Sequence, residues 1–96
     1  MDYDSSVTKV EKLTSENYHV WKQRIIHVLA LKDLDQFIEE EQPTDGDDES
    51  RINWQRKDRK AQAIIGLSIY NDLLENVRNC ESAKEMWSVV KDVFER

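Results

Sequence analysis

Trp54-Gln-Arg-Lys-Asp-Arg-Lys-Ala-Gln-Ala-Ile-Ile65 is the stretch whose reading decides the fold. Wound at 3.6 residues per turn, it puts Trp54, Ala61, Ile64 and Ile65 on one face, continued by Ser68. Arg56, Arg59, Lys60 and Ala63 fall on the opposite face. The spacing predicts an amphipathic helix over about residues 51–68, weakened near its end by Gly66. Such a helix has to bury its apolar stripe against other helices. The rest of the chain supplies them.

Upstream, Tyr18, Trp21, Ile25 and Leu29 recur at helical spacing and predict a first helix over about residues 16–31. Thr14 or Ser15 is placed to cap it, since a hydroxyl can accept from the unpaired amides of a first turn. Leu34, Phe37 and Ile38 predict a short helix or turn packing back on it. Downstream, Tyr70, Leu73, Leu74 and Val77 mark a short helix over about residues 71–77. Ser82 followed by Glu85 reads as a capping box opening a last helix at Ala83. Its inward stripe is Ala83, Met86, Trp87, Val90 and Phe94. No strand-like alternation or Asn-Gly hairpin signal occurs. The predicted fold is all-α, a compact bundle of four or five helices around one core.

The expected core comprises Tyr18, Trp21, Ile25, Leu29, Trp54, Ala61, Ile65, Leu73, Trp87, Val90 and Phe94. Each of the three indoles can bury roughly 150–250 Å². At about 25 cal/mol/Å² that is an upper bound of about 4–6 kcal/mol apiece. Their equal spacing invites a repeat, but the flanking residues share no pattern. Asn17 and Asp58 are polar at or beside the buried stripes, and a structural role is expected of both. Asn17 would satisfy backbone groups near the first helix, and Asp58 would pair with a neighbour.

The 96 residues fit one small domain, with a flexible lead-in over 1–12 and a single helical unit over 13–96. Hydrophobic residues make up 39% and charged residues 35%, which suits a folded domain rather than a disordered tail. No apolar run approaches the roughly 20 residues needed to span a bilayer. The acidic Met1-Asp-Tyr-Asp4 start lacks the apolar segment of a signal peptide. An intracellular, cytoplasmic protein without membrane partners is expected. Cys80 is the only cysteine, so it can form no disulfide or cysteine-based zinc site within the chain, and a buried structural thiol is expected.

The net charge of −6 argues against nucleic-acid binding by the whole surface. Its distribution is uneven. From Asp33 to Ser50 every ionisable residue is acidic, and Pro43 and Gly46 within it predict a solvated loop over about 40–49. From Arg51 to Lys60 the sign reverses, with Asp58 the one acid. Arg56, Arg59 and Lys60 are therefore candidate contacts for a neighbouring subunit or for RNA, against the plainer reading of a solvated helix face.

Enzyme chemistry is not expected. Phosphate loop, His-Glu-x-x-His and nucleophile elbow are all missing. His19 and His27 lie about 12 Å apart along a helix, too far for one metal, and the acidic stretch lacks the ligand spacing of a calcium loop. No catalytic residue, metal site, cofactor or small-molecule substrate is assigned.

Three phrases carry a family resemblance. Leu13-x-x-x-Asn17-Tyr18-x-x-Trp21, Trp54-x-x-x-Asp58-x-x-Ala61-x-x-x-Ile65 and Ala83-Lys84-Glu85-x-Trp87 occur in that order, with Cys80 just before the last. Together they resemble the Gag polypeptide of copia-type LTR retrotransposons over about residues 12–96. One position departs: Ser15 stands where the family often has glycine.

The resemblance implies a structural protein that self-associates into a shell around the element's RNA, with a fold like the amino-terminal lobe of retroviral capsid proteins. It implies a chain without the second lobe, the zinc knuckle, or the protease, integrase and polymerase segments. The implied partners are other copies of the chain, weakly held for an isolated lobe, and RNA in the full-length parent. Alternatives are a domesticated Gag-derived adaptor that binds a peptide or protein, or a weak RNA-binding helical domain.

Overall fold

A computed structural model of the chain describes residues 10–95. Helix α1 spans Tyr18–Leu31, a 3-10 turn spans Asp35–Ile38, and α2 spans Asp48–Leu67. Helices α3, Asn71–Val77, and α4, Ala83–Phe94, complete the order. No strand occurs among the described residues. The expected all-α bundle is the fold: among the described residues four helices and one 3-10 turn share a single apolar core. Helix α4 packs against α2, α3 and the turn, while α1 packs against α2 and the turn.

Two helix starts differ from the sequence reading. Neither Thr14 nor Ser15 caps α1; the N-cap is Asn17, and its side chain makes no capping bond. Instead the Asn17 carboxamide accepts from Thr14 N–H at 2.7 Å and donates to the Lys12 carbonyl at 3.0 Å. It folds the entry segment onto itself, which lets Leu13 be fully buried. Helix α2 begins at Asp48, three residues before Arg51, because Asp47 accepts from Ser50 N–H at 2.8 Å as its N-cap. Asp48 and Glu49 then occupy the first turn, where unpaired amides favour negative charge. The first nine residues of the expected lead-in lie outside the described residues. Val10, within the remainder of that lead-in, packs against the core.

The tail of α1 ends on Asp33, which adopts φ +59°. Asp33 N–H reaches the Ala30 carbonyl at 3.0 Å, and Leu34 N–H reaches that of Leu29 at 2.7 Å. This is a Schellman stop, with aspartate where glycine is usual. Leu29 and Leu34 are both buried, so the stop turns the chain into the core and delivers Phe37 and Ile38 to it.

The indoles do not all converge. Trp21 and Trp87 stack with ring centroids 5.6 Å apart and planes at 24°. Trp54 is only partly buried and meets Phe37 edge-on at 5.1 Å instead. Phe94 is also half-buried, lying parallel to Tyr18 at 5.0 Å. These two expected core residues form its rim, because each sits where its helix leaves the central contact. The other nine expected core residues are buried.

Ser68, between α2 and α3, is a hub that residue patterning alone does not reveal. Its carbonyl accepts from Trp21 Nε1 at 3.0 Å and from Leu13 N–H at 2.9 Å. Its hydroxyl donates to the Ile65 carbonyl at 2.9 Å. One buried residue thus ties α1 and its entry segment to the end of α2.

The end of α4 is tied to α1 as well. Tyr18 Oη donates to the Glu95 carboxylate, and Lys22 Nζ pairs with the same carboxylate at 2.7 Å. Burial, and then the Glu95 carboxylate, push the Tyr18 hydroxyl above its ordinary value. The bonds from Lys22 and Tyr18 hold the Glu95 carboxyl below its ordinary range. A carboxyl lowered in the folded state adds stability above its unfolded value, and that stability is lost on acidification. The Glu95 contribution should therefore be complete above about pH 4.3 and fade as pH falls through the lower folded-state value. Urea midpoints taken between about pH 6 and pH 3 should fall more steeply for the native chain than for Glu95→Gln. Parallel acid limbs would show that this contact does not bear on stability.

Candidate assembly surface

The surface is built on α2, whose inward and outward sides do different work. Inward, Asp58 is buried although it sits in the most basic stretch of the chain. Its Oδ1 accepts from Ala83 N–H at 3.1 Å, and its Oδ2 accepts from Gln62 Nε2 at 2.7 Å. Ala83 is the first residue of α4, so Asp58 caps a second helix from across the core. Ser82 caps the same helix from within the chain, accepting from Glu85 N–H at 3.1 Å. The Glu85 side chain accepts from Glu81 N–H at 2.8 Å, one residue earlier than the expected capping box would place it. No buried side-chain nitrogen or oxygen among the described residues lacks a partner.

Outward, the consequence is electrostatic. With Asp58 turned in, nothing on α2 neutralises Arg56, Lys57, Arg59 and Lys60, which are exposed and make no ion pair with any described residue. Toward the start of the helix the sign is negative. Asp48 pairs with Arg51 at 2.9 Å, while Glu49 is exposed and makes no ion pair with any described residue. In the preceding loop Glu41 pairs with Lys84 at 3.2 Å, and Asp45 makes no ion pair with any described residue. One exposed helix face therefore carries acid at its beginning and base through its middle. Ile52 and Leu67, 53% and 61% exposed, lie on that face and add apolar surface. Sequence periodicity would have placed both there had the outward stripe been followed beyond its charges.

Beside this face, Trp54, Gln55, Arg59 and Gln62 line a shallow polar groove with Gln42 and Glu81. His19 and His27 are exposed on α1. Cys80 is half-buried rather than buried, and burial, then the Glu85 charge, raise its thiol above the ordinary value. Among the described residues no three His, Cys, Asp or Glu side chains group as they would to hold a metal ion. No helix of the described residues is long and apolar enough to cross a membrane.

Leu13 and Trp21 are thus joined through Ser68, Asp58 binds Ala83, and Trp21 stacks on Trp87; all five belong to the three phrases singled out in the sequence. The family model for the gag-polypeptide of LTR copia-type matches residues 25–96. The chain belongs to that family. No curated protein and no solved structure shows significant similarity to it. In this Gag domain the family phrases act as internal fastenings. The outward face of α2, interleaved with the second phrase, is left open to solvent.

Proposed function

We propose that this Gag domain is a non-enzymatic structural subunit that self-associates through its helix faces to build a retrotransposon shell around RNA. Family membership supports the structural role. The observation that carries the self-association reading is the charged outward face of α2, whose cations find no partner among the described residues. Exposed ion pairs contribute only about 0–1 kcal/mol each, so this face is not needed for folding. Between subunits, opposed charges act on encounter rate and register. Many weak copies of one contact sum to a stable assembly. Such particles would assemble in the cytoplasm, with the RNA inside them.

The test is negative-stain microscopy of the full translated chain containing this domain. Regular particles are expected from the unaltered chain. Arg56→Glu/Arg59→Glu/Lys60→Glu should reduce their yield while leaving the circular dichroism of the domain unchanged. No regular particles from the unaltered chain would defeat the reading.

A further inference from the structure

We infer that the outward face of α2 pairs with the same face of a second copy, antiparallel, about a twofold axis level with position 54 of the helix. This inference deepens the self-association reading above and rests on it. The exposed stripe runs Glu49, Ile52, Arg56 and Arg59, at steps of three and four that keep one helix face. An antiparallel copy centred at position 54 maps that stripe onto itself. Glu49 then meets Arg59 of the other copy, and Ile52 meets the aliphatic stem of Arg56. The axis makes each contact occur twice, as an isologous interface requires. Eleven residues of helix, 49–59, roughly 15 Å end to end at 1.5 Å per residue, carry the two charge pairs and the two apolar ones.

The register is selected by charge. Sliding the copy by about one turn toward the carboxyl end sets Arg56 against Arg56 or Arg59, which is repulsive. The inward turn of Asp58 also matters. An acid at that point on the surface would blunt the attraction from Glu49. The occupant is a second copy because one helix carries both halves of the complementary pattern. An RNA strand would match only the basic half and would be repelled by Asp48 and Glu49.

Sedimentation equilibrium of the 96-residue chain, at about 50 mM and about 500 mM salt, tests the pairing. A monomer–dimer equilibrium that stops at the dimer is expected, with Kd rising about tenfold or more at the higher salt. Glu49→Arg and Arg59→Glu each make the face self-repelling and should abolish the dimer. Combining them in one chain, Glu49→Arg/Arg59→Glu, restores complementarity and should bring the dimer back. Mixing the two single variants should yield a heterodimer.

A native chain that stays monomeric at low salt, or a combined variant that fails to dimerise, overturns the pairing. So does open-ended growth. If the native chain is monomeric but binds an oligouridylate that Arg59→Glu releases, the cations serve RNA instead. Particles from the full chain without this dimer would sink the pairing alone. The dimer without particles would sink the shell reading alone.

Discussion

Trp21→Ala should destabilise the domain by about 3–5 kcal/mol, against about 1–2 kcal/mol for Trp54→Ala. Both remove an indole, but only one comes from the centre. Trp21 is 1% exposed, stacks on Trp87 and donates to the Ser68 carbonyl. Truncation leaves a large cavity between α1 and α4 that close-packed neighbours refill only partly. Trp54 lies at the rim against Phe37, and water can take its place.

A domain of this size has a total stability of about 5–15 kcal/mol, so the Trp21 loss is a large fraction of it. The thermal midpoint should fall by roughly 12 °C or more. Trp21→Phe separates the two contributions. It keeps a stacking ring and gives up the indole donor, while Ser68 still accepts from Leu13 N–H. Its loss should be nearer about 1–2 kcal/mol. Urea unfolding followed by far-ultraviolet circular dichroism reads all three variants without depending on the fluorophore being removed. Equal losses for Trp21→Ala and Trp54→Ala would contradict the central and peripheral positions assigned to them.

Those unequal indoles show where sequence reading reaches and where it stops. Periodicity finds helices because an apolar stripe has to be buried somewhere. The ranges of α3 and the start of α4 follow directly from Leu73, Val77, Ser82 and Ala83. Periodicity does not say how deep a stripe goes, and Trp54 and Phe94 share stripes with buried residues while sitting at helix positions that leave the core. Helix starts were harder for a different reason. Asp48 and Glu49 look like part of a solvated acidic loop, yet the same charge is favoured in a helix's first turn, and Asp47 supplies the cap. Thr14 and Ser15 look like caps for α1, yet the N-cap is Asn17, whose side chain is spent on Thr14 N–H and the Lys12 carbonyl.

Backbone groups were invisible to the pattern altogether. The Ser68 carbonyl receives two donors, and no side-chain periodicity points to a carbonyl. The candidate surface was legible as a list of cations at Arg56, Arg59 and Lys60. What the sequence could not supply was the direction of Asp58, and that direction decides whether the face is neutralised or left basic.

Asp58→Ala is the substitution in which fold and surface meet, and it should cost about 2–3 kcal/mol. Asp58 is 3% exposed, and both carboxylate oxygens are engaged. Removing them strands Ala83 N–H, at the first turn of α4, while the half-buried Gln62 amide keeps the Glu81 carbonyl at 3.5 Å. A stranded buried donor costs its desolvation as well as its bond. Ser82 still caps α4 from the Glu85 side, so the helix should fray at its first residue rather than melt. Native-state hydrogen exchange should therefore accelerate at Ala83 before it does at Val90.

Asp58→Asn keeps an acceptor oxygen for Ala83 N–H, and the Gln62 carboxamide can turn to accept from the new amide. Its loss should stay under about 1 kcal/mol. If Asn proves as damaging as Ala, the negative charge facing the α4 amino terminus does the stabilising, rather than the shape of the acceptor. If neither variant moves the urea midpoint, the link between α2 and α4 lies in the apolar contacts alone. The inward acid would then serve only to keep the outward face of α2 positive.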